Sequence, residues 1–121
     1  MANIKNWAGN TCIRVAHSSK YEKWQHGAII ELGGRIIASG TNSMKPLAPQ
    51  DAKYSEHAEA AAIRKARWKG GTLYVARVNR HGAVKNSKPC LDCIELIRAS
   101  RINRVCYSIG PNEWGIINII R

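Results

Sequence analysis

Apolar, mostly β-branched residues fall in two short runs on either side of Gly33-Gly34, in the first third of the chain. The runs read Gly-Ala-Ile-Ile-Glu-Leu and Arg-Ile-Ile-Ala-Ser-Gly. Two such runs joined by a two-residue glycine turn are typical of a β-hairpin, because glycine readily adopts the backbone angles of a tight turn. We therefore predict a hairpin with strands over residues 27–32 and 35–40.

The segments before and after this hairpin carry different patterns. Residues from Thr11 to Trp24 mix apolar and polar positions, and Asn10 or Thr11 could cap a helix, so we predict a first helix there. The segment from Thr41 to Tyr54 contains two prolines and no apolar periodicity, which predicts an irregular loop of functional length.

Helices and strands alternate in the rest of the chain. Ser55 can cap an alanine-rich helix over residues 56–66, and a second helix, Leu91–Ser100, begins shortly after Pro89. The predicted strands cover residues 72–78, 104–109 and 116–120, with a turn over 79–82 and a loop over 110–115. This alternation predicts one α/β layered domain over residues 1–121, with parallel strand pairs in its later half.

The composition fits a small globular protein. The chain has 121 residues, 45% of them hydrophobic, which is enough for a single core. Neither a secretory leader pattern nor a run of eighteen apolar residues occurs in the sequence. We therefore expect a soluble, cytoplasmic protein with no membrane partner.

The charge is strongly positive. Nineteen Lys and Arg against eight Asp and Glu give a net charge of +11, which suggests a polyanionic partner. Charged helix faces are as often simply solvated, so the charge favours nucleic acid only about evenly over solubility. The cationic residues are locally dense at Arg64, Lys65, Arg67 and Lys69, and again at Arg98, Arg101 and Arg104.

The four cysteines divide into a pair and two isolated residues. Cys90 and Cys93 form a Cys-x-x-Cys at the predicted start of a helix, where backbone amides and the helix dipole favour thiolates. This spacing is compatible with a metal site, with half of a structural zinc cluster, or with a redox pair. Cys12 and Cys106 stand alone among apolar residues and are expected in the core.

His57-Ala58-Glu59 shifts the balance towards a catalytic metal site. One histidine and two cysteines would leave a tetrahedral zinc one open position for water, and a nearby carboxylate could take that water's proton. Helical periodicity alone does not explain why Glu59 should face the same site as His57, since neighbours on a helix surface lie three or four residues apart. Each residue by itself could equally be a helix cap or dipole partner.

Together, His57-Ala58-Glu59 and Pro89-Cys90-Leu91-Asp92-Cys93 resemble the H-x-E and P-C-x-x-C signature of the cytidine and deoxycytidylate deaminase superfamily. The resemblance extends over roughly residues 26–109. It implies a three-layer α/β/α fold with a central five-stranded mixed sheet and helices on both faces. It also implies one zinc ion per chain held by His57, Cys90 and Cys93, with Glu59 as the proton shuttle.

The same resemblance implies substrate contacts at Asn42, Ala58 and Pro89, although Asn42 could also be a plain turn residue in Gly-Thr-Asn-Ser. The stretch from Asn79 to Lys88 is longer and more basic than the corresponding part of tRNA adenosine deaminases. The chain is in this respect more similar to small phage and viral cytosine-type deaminases.

The reaction implied is hydrolytic deamination of cytosine to uracil in a nucleotide or single-stranded nucleic acid, with release of ammonia. Two alternatives stay open: an adenosine-to-inosine deaminase acting on RNA, and a non-catalytic, zinc-stabilised basic module that binds nucleic acid. The sequence does not decide whether the protein forms a homo-oligomer. Aromatic residues that could stack on bases, or simply fill the core, are Tyr54, Trp68, His81 and Trp114.

Overall fold

The structure is a computed structural model that describes residues 4–20, 24–44 and 55–120. Its helices are α1 (Asn6–His17), α2 (Ala58–Lys65) and α3 (Leu91–Ala99). Its strands are β1 (Trp24–Leu32), β2 (Arg35–Thr41), β3 (Ser43–Met44), β4 (Ser55–Glu56), β5 (Gly71–Asn79), β6 (Val84–Lys85), β7 (Ile102–Gly110) and β8 (Glu113–Asn118).

The main sheet has the strand order β2-β1-β5-β7-β8, and the short strand β6 is added beside β5. Strands β5 and β7 are parallel, whereas β1–β2, β1–β5, β5–β6 and β7–β8 are antiparallel. The hairpin predicted around Gly33-Gly34 is confirmed as β1 and β2, and both glycines have positive φ. The expectation of several parallel pairs was too broad, because β8 returns antiparallel to β7 through a tight turn.

The predicted bounds of the first helix were wrong. Helix α1 begins five residues before Thr11, and the Thr11 hydroxyl donates to the carbonyl of Trp7 one turn back, which places Thr11 inside the helix rather than at its cap. Trp24 is not helical, since it opens β1 opposite Asn79. Small buried residues four apart (Ala8, Cys12 and Ala16) let this helix approach the sheet closely.

Three other local predictions need correction. Ser55 does not cap α2, because it lies in β4 paired with Met44, and His57 is the N-cap. The loop predicted over residues 41–54 contains β3 in its described part, while residues 45–54, including Tyr54, lie outside the described residues. The final strand begins at Glu113, inside the predicted loop, and ends at Asn118.

Helices cover both faces of the sheet, so the predicted three-layer α/β/α architecture is confirmed. On one face α1 packs over a buried cluster that includes Cys12, Ile29, Tyr74 and Cys106, which confirms both isolated cysteines as core residues. On the other face α2 and α3 pack over Ile30, Leu73, Val75, Ile97 and Val105. None of the helices in the described ranges has the length and apolar character needed to cross a bilayer.

Two glycines allow the helices to reach the sheet. A Cβ on Gly27 would lie 2.3 Å from the backbone nitrogen of Ala16 in α1. A Cβ on Gly40 would lie 2.7 Å from both the carbonyl oxygen of Ala58 and the backbone nitrogen of Ala62 in α2. Any larger residue at these positions would push a helix away from the sheet.

The order of elements decides which end of the sheet carries the helix starts. Helix α2 leads into β5 and α3 leads into β7, each through a short turn. Because each helix packs back along the sheet, the N-termini of α2 and α3 lie together near the carboxyl ends of β5 and β7. This is the end at which open α/β sheets commonly bind ligands.

Candidate active site

The three predicted ligands meet at these helix starts. The ligand atoms of His57, Cys90 and Cys93 all lie within 4.8 Å of one another, and His57 Nδ1 is 3.0 Å from Cys93 Sγ. Ligand atoms around a tetrahedral zinc are about 3.5 Å apart, so small side-chain rotations suffice to bind the ion. Three protein ligands leave the fourth position for water, as in catalytic rather than structural zinc sites.

Two of the ligands are N-cap residues. His57 caps α2 and Cys90 caps α3, both with extended backbone angles, and neither side chain bonds to its own helix. Cys93 is three residues after Cys90, on the same face of α3 and one turn further in. The free amides and dipole of a helix N-terminus favour negative charge, and so favour the thiolate forms of both cysteines.

Glu59 lies beside the ligand cluster. It is in the first turn of α2 and only 4% exposed, and its carboxyl is within hydrogen-bonding range of the Cys93 thiol. The sequence left its orientation unexplained, and the backbone supplies the reason: His57 is extended rather than helical, so the 3.6-residue period does not apply between 57 and 59. The turn from extended chain at His57 into helix at Ala58 therefore sets the direction of Glu59 relative to His57.

The electrostatics of the cluster fit a divalent cation. Burial raises the pKa of Glu59, and its own backbone amide, His57 and Cys93 oppose that rise only in part. Burial, the Glu59 carboxylate and Cys90 all raise the pKa of Cys93. A cation ligated by the thiolates reverses this trend for the cysteines, because ligands bind deprotonated. One nitrogen and two sulfur donors are a set that zinc commonly takes.

Asn42, which the sequence assigned to substrate binding, is held by the first residues of β1. Its Oδ1 accepts from the Ser19 hydroxyl at 2.7 Å and from the His26 amide at 2.9 Å. Its Nδ2 donates to the carbonyl of Trp24 at 2.8 Å. An amide group has two N–H donors, so one donor is left for another partner. In the described contacts, Asn42 mainly fixes the backbone of Trp24 and His26.

The other two candidate substrate contacts, Ala58 and Pro89, are buried. Ala58 has no exposed surface and belongs to the core cluster beneath α2 and α3. Pro89, which precedes the Cys90 cap, is also buried. Both therefore border the metal centre from inside the protein.

The three candidate stacking residues that the structure describes do not gather at the site. Trp114 packs edge-on against Tyr74 in the cluster beneath α1, with ring centroids 6.3 Å apart. Trp68 is exposed beyond the C-terminus of α2, away from His57, and His81 is exposed in the turn after β5. An aromatic residue that sequence reasoning missed is Trp24, which is 47% exposed at the start of β1.

The basic residues form two groups. The dense helical group lies at or beyond the C-terminal ends of α2 and α3, about 9 Å or more from the helix starts at 1.5 Å per residue; its members are Arg64, Lys65, Arg67, Lys69, Arg98 and Arg101. Cations there complement the helix dipoles. Arg104 lies on β7 and influences Glu31 and Tyr74, towards the face covered by α1.

The second basic group belongs to the segment around the β5–β6 turn, and its members are Arg77, Arg80, Lys85 and Lys88. These residues precede Cys90 in the chain, and β6 pairs with the carboxyl end of β5 near which α2 and α3 begin. Arg77 is opposite His26 across the β1–β5 pair, and His26 in turn lies close enough to His57 to be influenced by its charge. Sequence reasoning missed Arg77 and His26 because strand register, which brings them together, is not visible in the sequence.

Known proteins share both the sequence pattern and the fold. A sequence profile described as the cytidine and deoxycytidylate deaminase zinc-binding region matches residues 3–109. The chain belongs to the cytidine and deoxycytidylate deaminase family. It is accordingly a zinc-dependent deaminase, and the cluster of His57, Cys90 and Cys93 is where its residues could hold the ion.

Two solved structures illustrate the shared fold of this deaminase. Cytidine deaminase from Burkholderia pseudomallei matches 98% of the chain and 94% of its own chain, with a TM-score of 0.72 and 13% identity. The apo dCMP deaminase from the cyanophage S-TIM5 matches 86% of the chain and 84% of its own, with a TM-score of 0.58 and 22% identity.

A curated relative is a much longer protein. The tRNA(Ile)-lysidine synthase of Deinococcus deserti is 35% identical over 85 residues, which are 70% of this deaminase chain. The matched stretch is only 15% of that synthase. The similarity therefore concerns one part of that protein.

Proposed function

We propose that this deaminase converts cytosine to uracil in a nucleotide or in single-stranded nucleic acid, by hydrolysis that releases ammonia. The observation that carries the proposal is the buried carboxyl of Glu59 beside a three-ligand cluster with an open fourth position. A purely structural zinc site does not need such a carboxylate.

In the proposed mechanism His57, Cys90 and Cys93 hold the zinc ion. When bound, zinc lowers the pKa of a coordinated water and so supplies a nucleophile near neutral pH. Glu59 accepts one proton from the attacking water and delivers it to the ring nitrogen, and then transfers the second proton of that oxygen to the leaving amine. Its burial suits this role, because a carboxylate with a raised pKa is a stronger base, and a group whose pKa lies closer to neutral pH can both take up and return a proton.

The substrate contacts proposed from the sequence are Asn42, Ala58 and Pro89. Asn42 would contact the substrate through the amide N–H that has no partner among the described residues, and its other bonds hold the side chain in place. Ala58 and Pro89 contribute the inner wall behind the metal ligands, where bulk would displace the helix starts.

Cytosine is favoured as the base by the family and by the basic segment after β5, which differs from that of tRNA adenosine deaminases. The cyanophage dCMP deaminase has been crystallised with dCMP and dUMP, which supports a nucleotide substrate for a protein of this fold. Residues 1–121 are taken to be one deaminase domain. Reduced thiolate ligands require a reducing compartment, so the proposal includes a cytoplasmic location.

The test is a product assay with zinc-loaded protein on cytidine, dCMP and a cytosine-containing single-stranded oligonucleotide, with adenosine substrates in parallel. Uracil products with equimolar ammonia support the proposal. Inosine as the main product would assign the protein to adenosine deamination. Binding of the oligonucleotide without turnover of any substrate would favour the non-catalytic module.

A further inference from the structure

Arg77 lies at the end of the sheet near which both metal-ligating helices begin. It is near the carboxyl end of β5, on the same sheet face as Leu73 and Val75, which α2 and α3 cover. Both helices begin at this end of the sheet, with His57 and Cys90 as their caps. Arg77 is thus a cation on the sheet floor beside the metal ligands.

The guanidinium of Arg77 is held in a fixed orientation. Its central carbon lies 4.0 Å from the centroid of the Trp24 ring, and one terminal nitrogen donates to the carbonyl of Asn86 at 3.4 Å. Stacking on an aromatic ring orients the planar fork of N–H donors that suits carboxylate and phosphate oxygens. Trp24 is itself tied down by Asn42, which bonds to its carbonyl.

Arg77 has donor capacity that the described protein groups do not use. Its Nε is buried and has no hydrogen-bond partner among the described residues. Within the same residues the ion pair found is Lys5 with Glu31, on the other face of the sheet, so no carboxylate there neutralises Arg77. A buried, unpartnered N–H of a charged group is costly, which is the condition expected of a donor that awaits a ligand.

The chain segment that follows Arg77 adds positive charge and no acidic residue. Arg80, Lys85 and Lys88 follow it, and residues 77–89 contain no Asp or Glu. His26, directly opposite Arg77, has its pKa lowered to about 4 by burial, by Arg77 and by His57, so it stays neutral at neutral pH. The region around Arg77 therefore favours binding of an anion.

We propose that Arg77, stacked on Trp24, binds a phosphate of the cytosine nucleotide and thereby selects phosphorylated substrates over free nucleosides. This inference rests on the proposed cytosine deamination. The phosphate belongs either to a mononucleotide or to a nucleic-acid strand, and both sources present the same oxygens to the guanidinium.

The first measurement compares kcat/KM of the zinc-loaded wild type for dCMP, for deoxycytidine and for a short oligonucleotide with one cytosine. A hydrogen-bonded contact between charged groups gives about a 10- to 100-fold preference for the phosphorylated substrates. Equal rates with deoxycytidine would overturn the inference without any variant.

The second measurement uses Arg77→Gln. It should lower kcat/KM for the phosphorylated substrate by about 10- to 100-fold and leave deoxycytidine within about twofold. For the phosphorylated substrate, kcat/KM of Arg77→Lys should lie between the values for wild type and Arg77→Gln, because an ammonium keeps the positive charge but lacks the planar fork of N–H donors. Arg98→Gln, which removes the same charge from the far end of α3, is the matched control and should change neither substrate. An equal loss of kcat/KM for dCMP and deoxycytidine in Arg77→Gln would mean that Arg77 has a structural role and does not bind the phosphate.

Binding separates this inference from the deamination proposal. Calorimetry with zinc-loaded Glu59→Gln protein should give tighter binding of dCMP than of deoxycytidine, and the added Arg77→Gln change should abolish the difference. If this binding difference is found but the wild type turns over no substrate, the deamination proposal is rejected and the proposed phosphate site still stands. If Arg77→Gln weakens binding of the oligonucleotide alone, the bound phosphate belongs to a nucleic-acid strand. If it weakens binding of dCMP, the phosphate belongs to a mononucleotide. Identical affinities for dCMP and deoxycytidine would overturn the site.

Discussion

His57 and Cys90 cap two different helices in nearly the same backbone conformation, with φ of −72° at both and ψ of 152° and 172°. Their side chains are therefore free of the helical repeat and meet in front of two helix N-termini. Both helix dipoles favour anionic ligands at that point. The metal centre is positioned by rigid helix starts, not by loops alone.

The first prediction is that zinc depends on Cys90. Purified protein should contain about one zinc per chain, and Cys90→Ala should lose most of it, because two remaining ligands hold zinc weakly. Cys106→Ala is the control, since Cys106 is buried in the core on the α1 face and should leave the zinc content unchanged. Metal analysis by mass spectrometry measures both. Two zinc ions per chain, or full occupancy in Cys90→Ala, would contradict the assignment.

The second prediction separates catalysis from metal binding. Glu59→Gln should keep the zinc and the fold and lose about 10²- to 10⁴-fold in kcat, because the amide cannot carry the proton. Ammonia release is measured with zinc content and circular dichroism alongside. Glu95→Gln, which removes an exposed carboxylate from the middle of α3, should retain activity. Undiminished turnover in zinc-loaded Glu59→Gln would mean that another group moves the proton.

Most of the sheet and both helices of the site could be predicted from the sequence, because each depends on neighbouring residues. Gly33-Gly34 between two apolar runs defined the β1–β2 hairpin, and Pro89 marked the approach to α3. The first helix was misplaced because its start at Asn6 has no side-chain cap to mark it. Trp24 was assigned to that helix because its strand partner Asn79 lies 55 residues later (79 − 24).

The site was predictable as far as its signature reached. His57, Cys90 and Cys93 could be named from spacing and resemblance, and the structure brings them together. The orientation of Glu59 required the extended backbone at His57, which propensity alone does not reveal. Arg77 lies opposite His26 and stacks on Trp24. Both contacts depend on the register between β1 and β5, which is a long-range property of the fold.

The third prediction concerns the contact between β2 and the start of α2. Gly40→Ala places a methyl group 2.7 Å from the Ala58 carbonyl, so it should lower the free energy of unfolding by about 1–3 kcal/mol and also reduce zinc affinity. Gly33→Asn is the control: its Cβ meets open space, and asparagine tolerates the positive φ, so stability should change by less than about 0.5 kcal/mol. Urea denaturation and zinc competition measure the effects. Wild-type stability in Gly40→Ala would mean that the helix shifts freely.

The fourth prediction is a pH dependence of stability at Glu31. Burial opposes ionisation of this carboxyl, but the Gly34 amide at 2.8 Å, Lys5 at 3.1 Å and the charge of Arg104 outweigh it and lower the pKa below the usual 4.5. A lowered pKa in the folded state gives stability that is present above about pH 4.5 and is lost as the pH falls through the folded-state pKa.

Glu31→Gln should therefore be less stable than the wild type by about 1 kcal/mol at neutral pH, with the difference shrinking in acid. Urea denaturation at a series of pH values measures it. Glu113→Gln, an exposed carboxyl in β8, serves as the control and should show almost no difference at any pH. A constant gap between Glu31→Gln and wild type from neutral to acidic pH would refute the charge-dependent contribution.

The last prediction assigns strand binding to the basic segment after β5 and not to the basic helix ends. Each phosphate contact with a single strand contributes about −0.7 to the slope of log affinity against log salt. We expect the slope for a cytosine oligonucleotide to exceed that for dCMP by at least about two such contacts. Arg80→Gln with Lys88→Gln should reduce the oligonucleotide slope by about 1.4, since both are exposed residues of the basic segment between β5 and Cys90. Lys65→Gln with Arg98→Gln removes the same charge at the C-terminal ends of α2 and α3 and should leave the slope unchanged.

Titrations of zinc-loaded Glu59→Gln protein over a salt series measure affinity without turnover. An equal reduction by the second pair would move the strand to the helix ends, and equal slopes for dCMP and oligonucleotide would restrict the substrate to a mononucleotide.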